Sequence, residues 1–207
     1  MLNNITEIDL KLLSLYSKDY AAEYSILEMT KLLNINYSNA FRRVSLLLEN
    51  QILKKTKKGH SNILSLNLLN IPTLQLMSYV DEIDGRKIKN AALHLLVQEA
   101  LQLDPTASVG IFGSRVSGRA TKESDWDIFV ITQKNYVKEM EKIIAKVPHS
   151  QEMHLIALSK EEFEESLISG EETVVKHIIR NKQMIYNPHP FYNIIYKWEK
   201  LKHVPTQ

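Results

Sequence analysis

The sequence predicts an α+β chain in two parts, a helical N-terminal unit closed by a hairpin and a second unit of short strands and helices. Three observations carry this. Apolar residues keep helical spacing over most of the first fifty residues. Two strand-like runs, Gln51 to Thr56 and Ile63 to Asn67, then flank a charged tip from Lys57 to Asn62. Further on, short apolar runs at 108–112 and 128–131 bracket a polar stretch rich in glycine.

The chain has 207 residues, 44% hydrophobic and 24% charged, an ordinary globular mix with room for a core. It has no cysteine, which excludes disulfides, thiolate zinc sites and cysteine nucleophiles. No basic segment followed by an apolar stretch opens the chain, and no apolar run nears the ~20 residues that span a bilayer. The expectation is a soluble cytoplasmic protein without a membrane partner. Net charge is +2, but its distribution is uneven. From Arg42 to Lys58 the basic residues are Arg42, Arg43, Lys54, Lys55, Lys57 and Lys58, against the single acid Glu49. Such a cluster is either a nucleic-acid contact or a solvated surface turn.

In the first unit, Thr6 with Asp9 three residues on reads as a helix cap, followed by the stripe Ile8, Leu12, Leu13, Leu15 and Tyr16. Ser25 with Glu28 opens a second helix, Ile26 to Leu33. A turn at Asn34-Ile35-Asn36 leads to a third, with Phe41, Val44, Leu47 and Leu48 expected on its inner face. Helix, helix, turn, helix, hairpin resembles a winged helix-turn-helix over residues 5–70. That resemblance implies double-stranded DNA as a partner, with Asn39, Arg42 and Arg43 facing base edges and phosphates and Lys57 and Lys58 in a basic wing. The other use of such a unit is protein–protein or dimer contact, and a homodimer is the associated expectation. Ile71-Pro72-Thr73 breaks the pattern. A long helix is expected after Gly85, with Ile88, Ala91, Ala92, Leu95, Leu96, Ala100 and Leu103 at helical spacing and Asp104-Pro105 as its stop.

The chain has six glycines, and Gly110, Gly113 and Gly118 fall close together. Such clustering marks backbone that turns tightly or approaches a ligand. Gly113-Ser114 ends the first apolar strand, where a strand-to-helix turn offers N–H groups and a hydroxyl to phosphate. Arg115, Arg119 and Lys122 are cations near enough in sequence to neutralise a triphosphate. Ser124-Asp125-Trp126-Asp127 opens the second strand. Alternate strand residues share a face, so the Asp125 and Asp127 carboxylates project together. Like charges so placed repel, and a divalent cation relieves the repulsion; magnesium takes one or two carboxylates plus phosphate oxygens. A solvated polar strand start is the plainer reading of the two acids alone.

The full pattern, Gly113-Ser114, Gly118, Ser124-Asp125 and Asp127 before an apolar strand, resembles the nucleotidyltransferase superfamily shared with DNA polymerase beta, and most of all its minimal nucleotidyltransferases. Five or six fixed residues match by chance in roughly one chain in 10⁴. The resemblance implies a nucleotidyltransferase-type mixed sheet flanked by helices over about 86–187. It implies Mg2+ and ATP or another nucleoside triphosphate as cofactors. It places Gly113 and Ser114 at the nucleotide phosphates and Asp125 and Asp127 as magnesium ligands. Arg115, Arg119 and Ser124 join the candidate nucleotide-binding residues, and Asp125 and Asp127 are the candidate catalytic acids. The expected domain plan is 1–70 winged helix-turn-helix, 71–85 linker, 86–187 nucleotidyltransferase-like domain and 188–207 helical tail.

One part of the pattern is weaker. Active members add a third carboxylate from a neighbouring strand, and the matching run Gln151 to Leu158 holds no Asp. Glu152 is the candidate third catalytic acid, with His154 as an alternative base or ligand on the same face; exposed strand residues are the plain reading of both. Ser159 with Glu162 then caps a helix, Gly170 breaks before another at Thr173 to Arg180, and Gln183 to Tyr186 closes with a strand. The scattered histidines show no metal-ligand spacing. Two functions stay open at this point. One is a magnesium-dependent enzyme moving a nucleotidyl group to an acceptor hydroxyl on a protein, a small molecule or a nucleic-acid end. The other is a DNA-binding regulator that senses nucleotide without turnover. Minimal nucleotidyltransferases often serve as antitoxins that modify a small helical toxin, so the resemblance extends to an antitoxin-like role.

Overall fold

The computed structural model describes residues 5–121, 124–148, 150–169 and 171–203. Residues 1–4, Lys122, Gly170 and 204–207, all included in the sequence reading above, lie outside the described residues.

The N-terminal helices start where their caps predict. In α1 (Glu7–Ser14), the Thr6 N–H donates to Asp9 Oδ2 at 2.7 Å. In α2 (Ile26–Leu33), the Ser25 N–H donates to Glu28 Oε2 at 2.7 Å, and Asn34 ends the helix in the left-handed region with φ 51°. Asn36 caps α3 (Tyr37–Glu49) by accepting from the Ser38 N–H at 2.9 Å. The buried face of α3 is Ala40, Val44 and Leu47. Phe41, expected inside, is 53% exposed and stacks on exposed Tyr37, because it lies one position round the helix from that stripe. Antiparallel β1 (Leu53–Lys58) and β2 (Ser61–Leu66) follow. The turn between them is Gly59-His60, shorter than the expected tip, so Lys57 and Lys58 end β1. Positive φ at Gly59 permits this tight reversal.

The stretch expected as a linker is α4 (Ile71–Gly85), a 15-residue helix. Pro72 was read as a breaker. It sits in the first turn, where its missing N–H costs nothing and its fixed φ favours the helix. Thr73, Leu74, Leu76, Met77, Val80 and Asp81 of α4 are buried. Asn90 then caps α5 (Ala91–Leu103), accepting from the Leu93 N–H at 3.0 Å, and this fixes a later start than the sequence spacing suggests.

The second unit continues with β3 (Ser108–Phe112), the single turn α6 (Ser114–Ser117), β4 (Trp126–Thr132), α7 (Val137–Lys142), β5 (Met153–Ser159), α8 (Lys160–Ile168), α9 (Val174–Arg180), β6 (Lys182–Tyr186) and α10 (His189–Lys202). The sheet order is β5-β4-β3-β6, parallel between β4 and β5 and antiparallel elsewhere, so it is mixed as expected. Strand alternation sorts its residues. Val109, Ile111, Ile128 and Val130 pack with Leu93, Leu96 and Val97 of α5 and Met140 of α7. Phe112, Phe129 and Ile131 face a core that runs without a break into the N-terminal helices and into Phe163, Phe191 and Tyr192. The tail helix α10 is therefore part of the core.

A buried polar cluster joins the two parts. Lys182, at 0% exposure, donates from Nζ to Asp81 Oδ2 at 2.6 Å, to the Ser17 carbonyl at 2.7 Å and to Tyr192 Oη at 3.3 Å. The Tyr192 hydroxyl donates to Asp81 Oδ2 at 2.8 Å, and the Ser17 hydroxyl donates to Asp81 Oδ1. Every charge is matched, which a buried ion requires. Asp81→Asn leaves the Lys182 ammonium buried without a counter-charge and should cost about 3–5 kcal/mol of unfolding free energy in urea melts; a loss below about 1 kcal/mol would show that water reaches the pair.

Candidate active site

Residues in β3 and β4 build the site by register. Phe112 is paired with Asp127, so Gly113 emerges beside the Asp127 side chain. Gly113 has φ 78° and ψ −147°, a region open to glycine alone. A Cβ there would overlap the Asp127 carboxylate, whose Cγ would lie 3.2 Å from it. The conformation requires glycine, and any larger residue would also push the Asp127 carboxylate aside.

The turn after Gly113 is short and held from several directions. The Ser114 carbonyl accepts from the N–H groups of Gly118 and Arg119, the latter at 3.1 Å, and Val116 is buried. Arg115 was expected at a triphosphate. Its guanidinium instead donates to the carbonyl of Ser124 and, at 3.2 Å, to that of Asp125, and lies 4.3 Å from the centre of the Trp126 ring. These contacts tie α6 to the start of β4. The Ser124 hydroxyl accepts from the Thr121 N–H at 2.9 Å and so closes a loop turn. Arg119 is exposed and donates from Nε to Ser117 Oγ at 3.2 Å.

Asp125 is exposed and Asp127 half-buried. Burial raises the Asp127 carboxyl above its ordinary pKa; the neighbouring His154 works against this and the negative charge of Asp125 adds to it. His154 stands across the parallel ladder from Asp127. Glu152 does not share that strand. The ladder starts at Trp126 with Met153, and Glu152 closes an exposed 3-10 turn, Ser150–Glu152, before it. The strand starts later than expected, so only His154 comes level with Asp127.

Exposed Asp125 and half-buried Asp127, the latter against Gly113, are the residues that could hold a hard divalent cation. Among the described residues no group of three or more His, Asp or Glu side chains could hold a metal on protein donors alone.

This geometry can be set beside known proteins. Residues 97–190 match the family model described as Polymerase beta, Nucleotidyltransferase. The matched stretch runs from α5 to the start of α10 and contains every residue of the glycine turn and both acids. A solved structure described as the crystal structure of a toxin-antitoxin with AMP-PNP is similar at 13% identity, covering 53% of this chain and 88% of that chain, with a TM-score of 0.35. No curated protein matches the chain.

In the N-terminal unit, Asn39 and Arg42 are exposed on α3, and Lys57 is exposed on β1. Lys58 pairs at the surface with Glu23. Arg43 was expected to face solvent, but it makes an ion pair with Asp9, whose side chain is fully buried. Arg43 Nε donates to Asp9 Oδ1 at 2.8 Å, so this arginine ties α3 to α1. The sequence reading missed Lys18, whose Nζ donates to the Val116 carbonyl of α6 at 3.0 Å. A contact across 98 positions leaves no local signal. Among the described residues no helix is long and apolar enough to cross a membrane.

Asp127→Asn removes a carboxylate that the fold holds at a cost. Its raised pKa means that the folded state binds the proton more tightly than the unfolded state, so ionised Asp127 destabilises the fold above that pKa and not below the ordinary carboxylate range. Asp127→Asn should therefore raise the melting temperature at pH 7, with the gain fading as pH falls through the carboxylate range. A lower melting temperature at pH 7 would contradict this electrostatic account.

Proposed function

We propose that the chain binds a magnesium-complexed nucleoside triphosphate, ATP in the first instance, and transfers its nucleotidyl group to an acceptor hydroxyl. The observation that carries this reading is the Asp127 carboxylate seated against Gly113 with Asp125 beside it. Gly113 and Ser114 receive the phosphates at the α6 turn, and Asp125 and Asp127 hold the cation. The cation supplies neutralising charge to the phosphate oxygens. In the reaction the acceptor oxygen bonds to the α-phosphorus, the bond to the bridging oxygen of the β-phosphate breaks, and pyrophosphate leaves. The acceptor proton goes to the His154 imidazole or to solvent. Exposed Arg119 adds positive charge at the rim, while Arg115 and Ser124 serve the same site by fixing the loop that carries Asp125.

Labelled ATP with magnesium should give pyrophosphate and label on an acceptor, and Asp125→Asn or Asp127→Asn should lower the rate at least about 100-fold, as loss of metal-held charge stabilisation does. A specific observation favours a second reading, a nucleotide sensor. The position level with Asp127 is His154, and Glu152 lies off the ladder. Nucleotide binding without pyrophosphate across a broad acceptor screen would establish the sensor in place of the enzyme.

The N-terminal order α1, α2, α3, β1, β2 supports a winged helix-turn-helix that contacts double-stranded DNA through Asn39 and Arg42 of α3 and through Lys57 and Lys58 at the hairpin. The Lys58–Glu23 pair is exposed and exchanges readily for a phosphate. Duplex binding should weaken with salt, and Arg42→Ala should lower the slope by about 1, as one lost phosphate contact does. Arg43→Ala should lower stability and leave the slope unchanged. A slope unaltered in Arg42→Ala would remove α3 from the interface.

A further inference from the structure

We infer that Lys18, which lies outside the nucleotidyltransferase-type domain, is a positioning residue for the nucleotide turn and couples that turn to the N-terminal unit. This rests on the nucleotide-site reading above. The argument starts from α6. It has four residues, too few for a helix to hold itself in water. Its start is Gly113 at φ 78° and its end is Gly118 in the left-handed region, backbone conformations that side-chain-bearing residues rarely adopt. Its geometry must therefore come from outside, and the Lys18 ammonium supplies part of it by donating to the Val116 carbonyl at 3.0 Å. A cation suits the carbonyl end of a helical turn.

Lys18 is itself fixed by its backbone. Its carbonyl accepts from the Lys182 N–H at 3.1 Å, and the preceding carbonyl, of Ser17, accepts from Lys182 Nζ at 2.7 Å. Lys182 is the register partner of Phe112, the residue before Gly113. One short segment following α1 thus grips the strand leading into the turn through Lys182 and the turn itself through Lys18. Tightening of α6 around phosphates must be felt at Lys18, and displacement of Ser17–Lys18 must be felt at α6. Such coupling is reciprocal.

The test uses the full chain and a non-hydrolysable ATP analogue with magnesium. Lys18→Met keeps the aliphatic stem and removes the donor, and Lys18→Arg keeps the charge. Lys18→Met should weaken analogue affinity about 5–10-fold, the size of one ordinary, partly solvated hydrogen bond. Its melting temperature should stay within about 2 °C of wild type, because the lost contact is partly solvated. Lys18→Arg should restore affinity. In wild type the analogue should slow hydrogen exchange at the amides of residues 17–20, and in Lys18→Met it should not. Equal affinity in Lys18→Met and wild type overturns the inference and leaves the nucleotide site standing. So does a loss of affinity that only follows a loss of stability and that arginine does not rescue. Wild type that fails to bind the analogue overturns the nucleotide site, and the inference with it.

Discussion

A lysine with no exposure to water sets the terms for this fold. An ammonium can remain charged in such a place only if acceptors surround it, and Lys182 draws its acceptors from three separate parts of the chain: Asp81 of α4, the Ser17 carbonyl after α1, and Tyr192 of α10. None can move away without stranding the charge. The cluster therefore fixes β6 against the N-terminal helices and fixes α4 between them. The division into two units survives in element order but not in packing, because one apolar core runs from Leu12 through Met77 to Phe129 and Phe191. The same lysine pairs in register with Phe112, so this anchor lies next to the glycine turn.

The candidate site sits beside that anchor and is built from features that cost stability. Gly113 occupies a conformation closed to other residues, Asp127 is half-buried with a raised pKa, and a second acid adds repulsion. Under the proposed function, a bound cation would offset this cost, since both carboxylates would then gain an opposite charge. Rigid surroundings are a condition for such a site. Arg115 supplies part of them by turning inward to the carbonyls of Ser124 and Asp125 and to the Trp126 ring. The Arg115 guanidinium, a candidate phosphate ligand in sequence, also braces the strand that carries the acids.

What the sequence made legible is what is decided within a few residues. The caps at Thr6, Ser25 and Ser159, the glycine turn and the two strands beside it all follow from local chemistry, and all are present. The failures have a common form. Pro72 carries the same local signal whether it breaks a helix or starts one, and burial of α4 decides between them. Arg43 looks free until Asp9 is brought to it from 34 positions away, and Lys18 looks idle until Val116 is. Glu152 and His154 differ by where one strand begins, and strand ends are set by tertiary packing. Long-range pairing wrote each of these, and single-sequence periodicity does not contain it.

The exchange of an expected acid for His154 has a consequence for charge. Two carboxylates balance one divalent cation, and among the described residues no third acid joins them. A second cation would have to rely on the substrate phosphates for its negative charge. An imidazole at that position adds none, and its protonated form works against a metal while lowering the pKa of Asp127. Under the proposed function, the arrangement would suit a site that binds one cation together with its nucleotide and leaves activation of the acceptor to the imidazole or to the acceptor's own acidity. Turnover would then depend on how acidic the acceptor hydroxyl is. A phenolic or otherwise activated hydroxyl suits this site better than a simple aliphatic alcohol, because less base strength is needed to remove its proton.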